Sequence, residues 1–204
     1  PILAALLDDY ARESEDLPAE NLPPLRDSAT EVHGLLENLL LWASSQQELL
    51  TAKKTTTQLR PLAEKAYGQV RGTAEHKGIS VVLDIPAGCR VHADPEMVTT
   101  VLRNLLANSI KFSHPGGKVR IEAGIDGDRV GIACIDQGIG MSAIQIEQFI
   151  ANHASTTTSP GTQGEQGTGL GLILCREFVR LHDSELRVES APDKGTTFRF
   201  ELSG

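Results

Sequence analysis

Between about Pro24 and Leu50, the apolar residues Leu25, Ala29, Val32, Leu36, Leu39, Leu40 and Ala43 recur at intervals of three and four, which places them on one face of a helix. An earlier apolar stretch ends near Arg12, and the proline-containing break SEDLPAENLPP separates the two. The pattern predicts an antiparallel helical hairpin over residues 1–57. A lone hairpin is too thin to bury such a stripe, so the expectation is a homodimer in which two hairpins form a four-helix bundle.

After the stretch AKKTTTQLRP, which reads as a linker, the texture changes, and residues 58–204 form a second predicted domain. A helix is expected over Leu59–His76, a strand at ISVVLDI, a helix from Pro95 to Phe112, and strands at KVRIEAGI and RVGIACID. A short helix from Ala143 to Ile150 follows, then a helix ending near Leu181 and a closing hairpin of ELRVES with GTTFRFEL. Asp126-Gly127-Asp128 between two alternating runs is a hairpin signal. About five strands and three or four helices in this order predict an α+β class: an α/β sandwich with helices on one face of a mixed, mostly antiparallel sheet.

Composition narrows this further. With 40% hydrophobic and 23% charged residues among 204, the chain can bury one substantial core and a smaller element. No apolar run reaches the roughly 18 residues of a membrane span, so any membrane attachment is expected only through segments absent from this sequence. The sequence opens at Pro1 inside an apolar run and reads as a piece of a longer protein. Cys89, Cys134 and Cys175 are widely spaced without a CxxC pair, which argues against a disulfide framework or zinc knuckle and for a cytoplasmic setting. A net charge of -8 with scattered basic residues disfavours nucleic acid.

Three stretches carry candidate chemistry. On the helix opening at Asp94-Pro95, Asn104, Asn108 and Lys111 are spaced by four and three and fall within about 60° of one another, opposite Val98, Leu102, Leu105 and Leu106. Two amides and an ammonium in line suit a magnesium-bound polyphosphate, although a solvated polar face has the same spacing. Asp136-Gln-Gly138-Ile-Gly140 ends a strand in a glycine turn. Such a turn is often only turn chemistry, but its carboxylate can accept from the exocyclic amine of adenine, and its glycines let a ring approach the backbone. GTGLGL places Gly167, Gly169 and Gly171 at alternate positions before a helix, where N–H groups can converge on an anion. Its spacing is neither that of a dinucleotide fold nor that of a P-loop.

In this order NLLANSIKF, DQGIG, GEQGTGLGL and KGTTFRF resemble the four boxes of the catalytic, ATP-binding domain of sensor histidine kinases, from about Leu59 to Gly204. The resemblance implies a Bergerat-type sandwich that binds ATP and Mg2+, and transfer of the γ-phosphoryl to histidine and onward to an aspartate of a response-regulator receiver domain. It implies Asn108 as the magnesium ligand, Asn104 and Lys111 beside the phosphates, and Phe112 near the base. Asp136 is implied as the adenine reader, helped by Thr196 through water, with Gly138 and Gly140 shaping the pocket. Gly167, Gly169, Leu170 and Gly171 are implied as hinge and phosphate cradle, closing a lid over about 150–166 that is expected to be too polar to pack without ligand. Pro1 resembles the proline of the His-acidic-x-x-x-Pro motif, so the acceptor histidine is expected five residues upstream, outside this chain. His33 reads as an ordinary helical histidine, and His76, His92, His114, His153 and His182 share no metal spacing.

Two departures stand out: Ser109 where the family usually has alanine, and Asp183-Ser184 where a glycine pair commonly stands. Neither is expected to touch the ligand chemistry. Two alternatives remain. An ATP-hydrolysing clamp of the same superfamily needs a glutamate general base at the position of Asn104, and a degenerate kinase acts only as a nucleotide-binding or dimerisation scaffold.

Overall fold

The computed structural model describes residues 51–151, 160–165 and 169–204; the hairpin expected over 1–57 lies outside them up to residue 50. The elements run β1 (Thr55–Gln58), α1 (Leu59–His76), β2 (Ser80–Asp84), β3 (Arg90–Ala93), α2 (Pro95–Phe112), β4 (Lys118–Asp126), β5 (Arg129–Asp136), α3 (Ala143–Ile150), α4 (Leu170–Arg180), β6 (Arg187–Ser190) and β7 (Thr196–Ser203).

The sheet is ordered β1-β3-β7-β5-β4-β2, with β6 also paired to β7. Only β2 and β4 run parallel, which gives the mixed, mostly antiparallel sheet expected. Register aligns Ile121 with Cys134 and Cys134 with Phe198, so Val119 and Ile121, Val130, Ile132 and Cys134, and Phe198, Phe200 and Leu202 form one buried apolar face. The other face is charged and laced by ion pairs: Arg129–Glu201 at 3.6 Å, Arg199–Glu189 at 3.7 Å and Arg120–Glu122 at 2.6 Å. That alternation leaves one side to solvent and one to helices.

Helix α2 is the centre of the helical layer. Asp94 caps it by accepting from Glu96 N at 3.0 Å and Met97 N at 3.1 Å, and Pro95 stands in the first turn. Its buried face includes Val98, Val101, Leu102, Leu105, Leu106 and Ile110. On one side lies α1, burying Leu59, Leu62, Ala63, Ala66, Val70 and Ala74; on the other lies α4, burying Leu174, Cys175, Phe178 and Val179.

The sheet has seven strands rather than about five. RVHA forms β3, and TTTQ, read as linker, forms the edge strand β1, with Thr55 opposite Ala93 and Gln58 opposite Arg90. The missed strands are four residues each, too short for alternation to speak, and β1 is largely solvent-facing.

His182, read as bland, is a structural bridge. It is buried, contacts Phe178 O through Nδ1 at 2.6 Å and accepts from Asp94 N through Nε2 at 2.9 Å, joining the end of α4 to the start of α2. The next residue, Asp183, adopts φ +58°, the conformation that glycine would take at less cost, and its carboxylate meets Lys54 Nζ at 2.7 Å. Lys54 holds that carboxyl below its ordinary range. Replacing His182→Ala leaves the buried Asp94 N–H unpaired and opens a cavity, an expected cost of about 1–3 kcal/mol. Hydrogen exchange of the most protected β5 amides measures it; a loss under about 0.5 kcal/mol would show that the bridge carries no weight.

Candidate functional site

Asp136 ends the inward-facing row of β5, a carboxylate at a position its strand otherwise gives to apolar side chains. It is 6% exposed, and its Oδ1 accepts from Gly138 N and from Thr196 N, each at 3.0 Å. Burial raises its pKa; the two N–H groups and a hydrogen bond from the Ser109 side chain act against that rise. Thr196 therefore touches Asp136 directly through its backbone, while its hydroxyl meets Ser190 Oγ at 2.9 Å. Ser190 also accepts from Met141 N and donates to Gly195 O, both at 2.8 Å, and nothing in the sequence marks it.

Glycines frame the carboxylate, and the protein backbone is the reason. A Cβ on Gly138 would run into the carbonyl of Phe112, one on Gly140 (φ +66°) into that of Ala191, and one on Gly195 (φ +77°) into that of Asp136. Ile139 N donates to Phe112 O at 3.1 Å, so the DQGIG turn is fastened to the end of α2. In the structure Gly138 and Gly140 let the turn close on its own chain.

On α2, Asn104, Asn108, Lys111 and Phe112 are half-buried while the apolar face opposite is buried, as the spacing requires. Asn104 Nδ2 is buried and has no hydrogen-bond partner among the described residues. Helix α4 begins beside it: Gly169 is its N-cap at φ +72°, Leu170 its first residue, and a Cβ on Gly171 would sit 3.3 Å from Asn104 Oδ1. A buried amide donor left open next to the positive end of an eleven-residue helix is a site whose chemistry fits an anion. Gly167 lies outside the described residues. Lys111 Nζ stands 4.7 Å over the Phe112 ring. Its pKa is lowered by burial and by Lys77, with Glu165 opposing.

Residues 160–165 do pack, contrary to the expectation for a polar lid; the remainder of that stretch from 152 lies outside the described residues. Thr162 donates from N to Lys111 O at 3.2 Å and from Oγ1 to Ser113 O at 2.7 Å. Lys77, its side chain 2% exposed, bonds Glu165 and Lys111 O, each at 2.6 Å. The last carbonyls of α2 have no partner within the helix, and these polar side chains supply one.

Ser109 is 1% exposed, with its Oγ 3.4 Å from Cys134 Sγ, and its side chain opposes the rise in the Asp136 pKa.

Residues 93–203 match the family described as histidine kinase-, DNA gyrase B-, and HSP90-like ATPase. The non-motile and phage-resistance protein of Caulobacter vibrioides is 31% identical over 87% of this chain and 22% of its own length. The adaptive-response sensory kinase SasA of Thermosynechococcus vestitus is 33% identical over 93% of this chain and 50% of its own. The chain thus spans half or less of these curated relatives. Histidine kinase ThkA, solved in complex with response regulator protein TrrA, shares the fold with a TM-score of 0.65 at 19% identity, over 97% of this chain and 56% of that one. With the family match covering more than half of its residues, including the Asp136 turn and the N-terminus of α4, the chain belongs to the histidine kinase-, DNA gyrase B- and HSP90-like ATPases.

Proposed function

We propose that this chain is the core of a two-component histidine kinase that binds ATP and directs its γ-phosphoryl to a histidine, with a response-regulator receiver domain as the onward acceptor. The observation that carries the reading is Asp136: a buried carboxylate with Oδ1 held by two backbone N–H groups, in a fold whose helix α2 carries a half-buried stripe of amides and sets Asn104 against the first turn of α4. The other Asp136 oxygen accepts from the exocyclic amine of adenine; guanine presents a carbonyl at that place and is repelled. Phe112 packs near the base. The Asn104 amide, the N–H groups opening α4 with Gly169, Leu170 and Gly171, and Lys111 bind the polyphosphate. Asn108 would hold Mg2+ through its amide oxygen, and the ion would supply charge neutralisation to the phosphate oxygens.

The γ-phosphorus to bridging-oxygen bond breaks as a bond to an imidazole nitrogen forms, and ADP leaves with the electron pair. Positioning and charge neutralisation supply most of the rate. A neutral imidazole already carries a lone pair, so no general base is required, and Asn104, an amide, stands where a hydrolytic clamp needs its carboxylate. The kinship with named sensory kinases and the pairing of a kinase of this fold with a response regulator support the same reading.

Asp136→Asn is expected to weaken ATP binding by about 1.5–3 kcal/mol and to narrow the preference over GTP, read by titration calorimetry. The unliganded fold should hold or gain stability, because the amide oxygen keeps both N–H partners and no charge is buried. The sign follows from the raised folded pKa: the native carboxylate loses stability relative to the variant as pH climbs from its ordinary value to the raised one, and the difference is constant above. Unchanged ATP affinity and selectivity would refute the adenine assignment.

Asn108→Ala should make ATP affinity in magnesium equal to that in chelator while the thermal midpoint stays within a few degrees, because the side chain is only half-buried. In the protein carrying the acceptor histidine it should also abolish acid-labile, alkali-stable phosphate. A surviving magnesium effect on affinity would place the ion elsewhere.

A further inference from the structure

Residues 160–165 are held by a buried ion pair that takes no part in the proposed phosphoryl transfer. Lys77 follows the last residue of α1, its side chain is 2% exposed, and its Nζ donates to Glu165 Oε1 and to Lys111 O, each at 2.6 Å. Glu165 meets it from a tight turn. Gly161 N donates to Glu165 O at 2.9 Å, Gly164 N to Gly161 O at 3.0 Å, and Gln163 N to Glu165 Oε2 at 2.8 Å. Both carboxylate oxygens are therefore partnered, and a buried ion pair holds its place best when further hydrogen bonds satisfy its members. Burial acts to raise the Glu165 pKa, but the Lys77 hydrogen bond and the backbone donors outweigh it, and the carboxyl lies below its ordinary range.

The turn lands on Lys111. A Cβ on Gly161 would run into Glu165 Oε2 and lie 2.7 Å from Lys111 Cγ, so glycine at this position lets the turn lie against the Lys111 stem. Thr162 N donates at 3.2 Å to the Lys111 carbonyl that Lys77 also holds. In sequence, Glu165 stands just ahead of Gly169, the N-cap of α4. The base side of the site has a tie of its own, Ile139 N on Phe112 O, which involves neither Lys77 nor Glu165.

We propose that Lys77 and Glu165 are positioning residues for the phosphate side of the site: their buried ion pair holds residues 160–165 on the end of α2 and keeps Lys111 placed for the polyphosphate. The proposal rests on the reading of Lys111 as a polyphosphate ligand. Both residues act through Lys111 and the turn, not on the nucleotide. A ligand that must order a segment loses affinity to that ordering, so a segment fixed by the protein's own ion pair leaves more of the phosphate interaction to appear as binding. The gain falls on phosphate and not on adenine, because the base side is tied separately.

The test compares the native chain with Lys77→Met, Glu165→Ala, Glu165→Gln and the double variant Lys77→Met/Glu165→Ala. Two readouts are taken: amide hydrogen exchange of Thr162 by NMR, and displacement of a fluorescent adenine nucleotide by ATP or by adenosine in magnesium. Glu165→Ala should speed Thr162 exchange about tenfold or more while the β5 amides keep their protection. It should weaken ATP roughly threefold to tenfold and leave adenosine as in the native chain. Glu165→Gln keeps an acceptor for Lys77 and should recover most of the ATP affinity. The double variant leaves no buried charge unpaired, so it should fold even where a single variant does not, with the same fast exchange and the same loss confined to ATP. A merely structural pair would weaken ATP and adenosine alike, or neither, and either result refutes the positioning role while leaving the phosphate reading intact. Native Thr162 protection in the double variant would refute it too. If the native chain binds ATP no more tightly than adenosine, the phosphate reading itself falls and the proposal falls with it.

Discussion

The site depends on holding one carboxylate in a place built for apolar side chains. Asp136 occupies the final inward position of β5, where Val130, Ile132 and Cys134 fill the positions before it. Burying a lone carboxylate is costly unless donors surround it, and here they arrive from two directions: the turn through Gly138 N and β7 through Thr196 N. Much of the local backbone follows from bringing those donors in. The turn must close against Phe112 and β7 must enter against the carbonyl of Asp136, so Gly138 and Gly195 have no room for a Cβ.

Helix α2 couples this carboxylate to the second half of the site. One face fills the core between α1 and α4, and the other carries Asn104, Asn108 and Lys111, so the core fixes the placement of the amides. The Asn104 side chain lies against the first turn of α4, where a Cβ on Gly171 would sit 3.3 Å from its Oδ1. The same helix ends in carbonyls answered by Thr162 and Lys77, which ties residues 160–165 to the side of the site that holds Lys111. The proposed base-recognition and anion-binding groups thus share one helix, and a displacement of α2 would disturb both.

Long, periodic elements were legible from the sequence. Leu59–His76, Pro95–Phe112 and Ala143–Ile150 fold over the stretches the pattern predicts, because an amphipathic stripe or a proline-marked N-cap is a local signal. β1 and β3 were not legible: four residues offer little alternation, and their pairing, from Gln58 with Arg90 to Thr55 with Ala93, is a tertiary fact. At the site, Asp136 could be picked out because its strand-end acid and two glycines stand in order with the other three motifs, but its neighbours could not. Ser109 stands out in sequence only as an unusual residue for its place, with no sign that Cys134 is its neighbour, and Ser190 and Glu165 gain meaning from partners 5 to 88 residues away. The approach of Gly138 to the carbonyl of Phe112 was not legible for the same reason, since a sequence does not say whose backbone comes close.

The short strand β1 bears on how the protein meets other chains. A sheet edge exposes unpaired N–H and C=O groups that invite another strand, and a long apolar edge is an aggregation hazard. Here the outermost strand is only Thr55–Gln58, all hydroxyl and amide side chains, pinned at its entry by Lys53 N on Asp94 and Lys54 on Asp183. Such an edge gives a foreign strand little length to pair with and no apolar side chains to bury, so the protein can carry a seven-stranded open sheet in a crowded solution without offering this border as a template.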